Sequence, residues 1–181
     1  MTDELAELRA SDGRPESGER QLVVFSLGRE SFGVDIECVR EIIRWQPVTH
    51  VPETPASVLG VLNLRGRVIP VVDLRLRFGM TSVEATDATR ILVVDVGSDV
   101  GALVDSVTEV MRLPSEAIRV LSPVATSERS EYIDGIAQVG ERLLILLSME
   151  RALAGETVGV GGTGAKRGSD GPASHAEQRS A

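Results

Sequence analysis

Several groups of residues in this chain have types and spacings that would suit chemistry, and each points to a different kind. Gly159-Val160-Gly161-Gly162-Thr163-Gly164 spells G-x-G-x-x-G, the loop that cradles a dinucleotide pyrophosphate. That use needs the glycines between a buried strand and a helix, so that the helix N-terminus meets the phosphates. Here a helix expected at about 149–153 precedes the loop, and no apolar pattern follows it. Lys166 does not make a P-loop either, because Ala165 intervenes and Arg167 stands where Ser or Thr is required. The glycines read as linker, and nucleotide binding through them is a remote alternative. His50 sits among prolines and His175 near the C-terminus, neither with neighbours for a metal or catalytic set. Cys38 is the single cysteine, which excludes an internal disulfide and a cysteine zinc cluster. It reads as an inert thiol, buried or half-buried. Asp73, Asp95, Asp99 and Asp105 fall at strand ends or turns, where carboxylates serve backbone hydrogen bonding, and no two stand out as an acid/base couple. These patterns predict a non-enzyme with no cofactor and no metal.

What remains is charge on a turn. Val61-Leu62-Asn63-Leu64-Arg65-Gly66-Arg67-Val68-Ile69-Pro70-Val71-Val72-Asp73-Leu74 is two apolar runs meeting at an Arg-Gly-Arg tip, which predicts a β-hairpin. The strands need the apolar residues and the glycine; the arginines need solvent or a partner. Near them in sequence, Val39, Ile42 and Ile43 fall at i, i+3 and i+4, which predicts a short helix over 37–44. Its charged face would pair Glu37 with Arg40 and Glu41 with Arg44. Trp45, the one tryptophan, either caps the core or anchors a partner.

The elements around these residues are mostly strands. Residues 21–27 and 31–36 alternate as a hairpin about Gly28-Arg29-Glu30, and Pro47, Pro52 and Pro55 punctuate the linker after residue 44. Residues 21–42 align with 90–110: Leu22–Gly28 with Ile91–Gly97, Phe32-Gly33-Val34 with Val100-Gly101-Ala102, Val39 with Val107 and Glu41 with Glu109. A fainter match sets Gly66 against Gly140, so that Val139 and Glu141 replace the flanking arginines. The body therefore reads as two copies of one β unit, at about 21–88 and 89–154. Each is too small for a robust core alone, so the two should pack together or exchange strands. Residues 1–20 and 155–181 are polar or glycine-rich and read as flexible tails, with a short helix about Leu5 and Leu8 in the first.

Composition limits the partners. The formal charge is −8, of which the body carries −5, and that disfavours nucleic acid and anionic membrane surfaces. No signal peptide is visible, and the longest apolar run of the body, Leu143–Leu147, is far short of the ~20 residues of a membrane helix. A cytoplasmic protein is expected.

The residues also resemble a known family. Val39-Arg40-Glu41-Ile42, Thr54-Pro55-Ala56 leading into Gly60–Gly66, Ile69–Arg75, Val100–Asp105 and Glu131-Tyr132-Ile133-Asp134-Gly135 resemble the signature of the CheW family of bacterial chemotaxis coupling proteins. The resemblance spans about residues 21–154. It implies an all-β fold of two tandem SH3-like five-stranded barrels with a few short helices. It implies a non-catalytic adaptor joining the cytoplasmic tip of methyl-accepting chemoreceptors to the regulatory domain of the histidine kinase CheA, within membrane-associated arrays. A scaffold of a non-flagellar chemosensory pathway is the alternative. The sequence carries no phosphotransfer, ATPase or receiver segment. By resemblance, Arg65 and Glu41 match charged coupling positions, Asn63, Gly60 and Gly66 the surrounding hairpin, and Val39 and Val107 apolar positions facing a partner.

Overall fold

The structure is a computed structural model and describes residues 18–120 and 131–156. The expectations for residues 1–17 and 157–181, including the glycine loop, Lys166 and His175, lie outside the described residues; the expected tail bounds move, because Glu19 and Arg20 already belong to the first strand and Glu156 is held by Ser57 and Arg77. In chain order the elements are β1 (Glu19–Leu27), β2 (Glu30–Asp35), β3 (Val39–Arg44), β4 (Val58–Leu64), β5 (Arg67–Asp73), the one-turn helix α1 (Leu74–Arg77), β6 (Arg90–Asp95), β7 (Asp99–Val104) and β8 (Ser106–Pro114). They continue with β9 (Ile118–Arg119), β10 (Ile133–Val139), β11 (Arg142–Leu147) and the short helix α2 (Met149–Ala152). Two sheets result. One has five strands in the order β3-β6-β7-β5-β4, the other six in the order β8-β1-β2-β11-β10-β9. The sixth strand, β9, is only the pair Ile118–Arg119 against β10.

The order shows an exchange of hairpins. β1 and β2 lie beside β10 and β11, while β6 and β7 lie with β3, β4 and β5. The registers repeat between the sheets. β5 pairs in parallel with β7 at Val71↔Gly101, and β11 with β2 at Leu146↔Gly33. Asp73 caps α1 and Ser148 caps α2 at the corresponding positions after those strands.

Burial explains the unbroken apolar runs. Leu22 and Val24 face a core inside the six-stranded sheet, and Ile91 and Val93 one inside the five-stranded sheet. Their neighbours Val23, Phe25, Leu27, Leu92 and Val94 turn the other way into a third core shared by both sheets. Strands buried on both faces have no position for a polar residue, so the alternation disappears from the sequence. The shared core also takes Met149 and Leu153 from the α2 region.

The helix expected over 37–44 is absent. Ile36–Cys38 form a single 3-10 turn and β3 begins at Val39. The apolar spacing has a different cause. A β-bulge between Val39 and Glu41 sets Val39 opposite Val94 and Ile42 opposite Leu92. The extra residue, Arg40, returns Val39 and Ile42 to one face at a spacing of three. The same irregularity recurs where Val107 and Glu109 of β8 oppose Phe25 and Val24 of β1.

Candidate functional site

The hairpin tip is a two-residue turn, closed by the pair Leu64↔Arg67. Arg65 and Gly66 both have positive φ, 51° and 82°, which is the type I′ geometry that suits twisted strands. Glycine meets that demand freely, whereas an arginine is held there against its backbone preference. The Asn63 side chain accepts a hydrogen bond from Gly66 N at 2.9 Å and braces the turn. Arg65 reaches Glu41 on β3 with both terminal nitrogens, at 2.9 and 2.7 Å. These hydrogen bonds and the Glu41 charge raise the guanidinium further above its ordinary pKa. The arginine is more than half exposed while Glu41 is 14% exposed, so the cation faces solvent and the anion backs it.

The expected pairs of a helical face are replaced by others. Glu41 pairs with Arg65, and Arg40 pairs with Asp95 and reaches Asp99 at 3.5 Å. Arg67 also pairs with Asp99. Sequence reasoning saw Asp95 and Asp99 only as turn residues, because the contacts join segments more than thirty residues apart, and separations of that size leave no mark on local spacing.

The other candidates divide by burial. Val39 is fully enclosed in the shared core and offers no surface, while Val107 is half-buried beside that core. Gly60 is a backbone requirement. Its φ is 151°, and a Cβ there would stand 2.1 Å from the Thr49 carbonyl oxygen. Thr49 of the linker and Val61 of β4 exchange hydrogen bonds at 2.8 Å, and only a missing side chain at Gly60 lets the two segments meet. Cys38 is half-buried, and burial, helped by the Asp35 charge, pushes its thiol up to about 11. Asp73 is buried and caps α1, accepting from Arg75 N at 2.8 Å and from the Ser82 hydroxyl at 2.9 Å. Asp105 accepts from Gly28 N at 2.7 Å and from Arg75 Nε at 2.6 Å. Burial alone would raise its pKa, but these bonds hold it below the ordinary range. Among the described residues no three His, Cys, Asp or Glu side chains converge as a metal set.

The second hairpin corrects its sequence alignment. Val139 pairs with Arg142, so its turn residues are Gly140 and Glu141. Gly140 therefore occupies the position of Arg65, not that of Gly66, and Arg142 occupies the position of Arg67. Only Gly140 has positive φ there, the type II′ pattern with glycine first. The second tip thus keeps an arginine, and Arg142 pairs with Glu109, the counterpart of Glu41.

Sequence reading missed one further feature. Phe25 and Phe32 on β1 and β2, Phe78 at the end of α1 and Tyr132 just before β10 form a row with ring centroids 5.8, 6.0 and 5.8 Å apart. The row holds every phenylalanine and tyrosine of the chain. It ends with the Arg77 guanidinium 4.7 Å from the Tyr132 ring centre. Trp45 is 39% exposed and lines a shallow depression with Arg44 and residues 84–87.

The arrangement is that of an all-β protein of two sheets that exchange hairpins and share one core, with ion pairs clustered at one sheet end. The CheW-like domain family matches residues 21–156, and the chain belongs to that family. It is 36% identical over 146 residues to "Chemotaxis protein CheW" of Klebsiella aerogenes, covering 80% of this chain and 88% of that protein. It is 38% identical over 141 residues to "Probable chemotaxis protein CheW" of Rhizobium etli, covering 77% and 90%. The crystal structure of the scaffolding protein TtCheW from Thermoanaerobacter tengcongensis superposes with a TM-score of 0.69 at 35% identity, covering 74% of this chain and 92% of that one. Among the described residues no helix is long and apolar enough to cross a membrane.

Proposed function

We propose that this protein is a non-catalytic adaptor that couples the cytoplasmic tip of methyl-accepting chemoreceptors to the regulatory domain of a CheA-type histidine kinase. It acts in the cytoplasm and is recruited to receptor arrays at the membrane. Membership of the CheW-like family supports the class of function. The observation that carries the site is Arg65, kept in a left-handed turn position where glycine serves the second hairpin. Backbone strain of this kind persists where a side chain has work to do. The exposed guanidinium is oriented by Glu41 and keeps N–H donors for a partner carboxylate. Individually weak contacts of this type gain strength when many act together in an array.

The test is reconstitution of the full chain with a receptor cytoplasmic fragment, the kinase and ATP. Arg65→Glu should remain folded by circular dichroism and lose receptor-dependent stimulation of kinase autophosphorylation. Normal stimulation by that variant would remove Arg65 from the coupling surface.

A further inference from the structure

The end of the five-stranded sheet carries more than the Arg65–Glu41 pair. Arg40, Arg65 and Arg67 are 57%, 55% and 59% exposed, while the carboxylates behind them, Glu41 and Asp99, are 14% and 12% exposed. Asp99 holds two arginines at once, Arg67 on one oxygen and Arg40 on the other. Asp95 binds Arg40 from the adjoining turn, where it also accepts from Gly97 N at 3.1 Å. The formal charges cancel, but their placement does not: Glu41 and Asp99 are set inward, only Asp95 is partly open at 38%, and the three guanidiniums form the outer layer. A chain of formal charge −8 thus presents a cationic surface at one place, with the arginines held in position beforehand.

The second sheet provides an internal comparison. At the corresponding end Arg142 pairs with Glu109, and both partners are similarly exposed, 45% and 40%. A hairpin tip of this fold therefore forms without a double-armed carboxylate and without an arginine layer. The turn geometry does not explain Arg40 and Arg67.

We infer that Arg40 and Arg67, oriented by Asp99, form with Arg65 a cationic patch that selects receptor tips bearing an acidic stretch on their helical hairpin. The inference rests on the coupling function proposed above and extends it to the choice of partner. Arg40 spends Nη2 and Nε on Asp95 and Asp99, and Arg67 spends Nη1 on Asp99. A guanidinium has five N–H donors, so both can bind a second carboxylate without releasing the first. The patch accordingly needs no rearrangement before it meets its partner, which lowers the cost of association.

The experiment measures binding of the full chain to a soluble fragment of the cytoplasmic hairpin of a receptor from the same bacterium, by calorimetry at low and high salt. Glutamine at both positions, R40Q/R67Q, keeps hydrogen bonding to Asp99 and removes the charge. It should weaken binding about five- to tenfold at 50 mM salt, and the difference should shrink below about twofold at 0.5 M as screening shortens the field. R40K/R67K should stay within about twofold of the wild type, as should Arg142→Gln in the second hairpin. Wild-type affinity and salt dependence in R40Q/R67Q would overturn the inference while leaving the coupling function standing. So would a loss independent of salt, or an R40K/R67K variant as weak as R40Q/R67Q. Failure of the wild type itself to bind at either salt would overturn both.

Discussion

Arg65 and Gly66 have φ of 51° and 82°, so Arg65→Asn would place at the tip the Asn-Gly pair that a type I′ turn favours. Two effects then compete. Asparagine tolerates the left-handed region better than arginine, and relief of that backbone cost contributes on the order of 0.5–1 kcal/mol. Against it, Glu41, mostly covered, loses its partner, which costs roughly 1 kcal/mol. The terms nearly cancel, so the thermal midpoint should move by no more than about 3 °C in a domain of this size. Adding Glu41→Gln removes the stranded carboxylate, and the double variant should melt about 2–4 °C above the wild type. Receptor-dependent kinase stimulation should nevertheless fall more than tenfold in both. The assays are differential scanning calorimetry and kinase autophosphorylation with the receptor fragment. A fall of more than about 6 °C for Arg65→Asn would refute the reasoning, because the ion pair would then be holding the sheet rather than serving a partner.

The remaining expectations concern residues that support the site. Gly60→Ala forces a methyl group against the Thr49 carbonyl and breaks the Thr49–Val61 bridge. It should cost about 3 kcal/mol or more in urea unfolding, and a cost below about 1 would show that the loop yields easily. The Asp105 carboxyl is held below its ordinary pKa in the folded state, so its contribution is present above about pH 4, the unfolded value. That contribution is lost as pH falls through the lower folded value. Asp105→Asn should therefore cost about 2 kcal/mol at pH 7 and less under acid, and an equal cost at pH 7 and pH 2.5 would refute the linkage. With its thiol pushed up to about 11, Cys38 should react with iodoacetamide at pH 8 roughly 100-fold more slowly than a free cysteine. A rate near that of the free thiol would mean that β3 opens readily at its start.

The failures of sequence reading have local physical causes. A bulge at Arg40 turned the period of a strand into that of a helix, since one inserted residue puts Val39 and Ile42 on the same face. The hairpin alignment followed glycines. The two turns, however, place glycine at different central positions, and only the pairings Leu64↔Arg67 and Val139↔Arg142 reveal the shift by one residue. Val39 matched an apolar position facing a partner, yet it is fully enclosed, because burial depends on what packs over β3 from the other sheet. That Asp73 serves backbone hydrogen bonding, by contrast, was readable from its place at a strand end, and the structure makes that bonding the cap of α1.

The sequence by itself determined the hairpins on either side of β3, the repeated pattern, the charged tip and the family, because apolar runs, turn residues and motif order are properties of neighbours along the chain. The tertiary structure alone decided the exchange of hairpins between sheets, the shared core beneath Val39, and which carboxylate holds which arginine. Those depend on contacts such as Arg65 with Glu41 and Arg67 with Asp99, across 24 and 32 residues. No local pattern encodes such pairs; they exist only once buried strands have brought distant turns to the same end of a sheet. Two arginines that were surplus charge on a predicted hairpin become, in the folded protein, part of an ordered cationic surface.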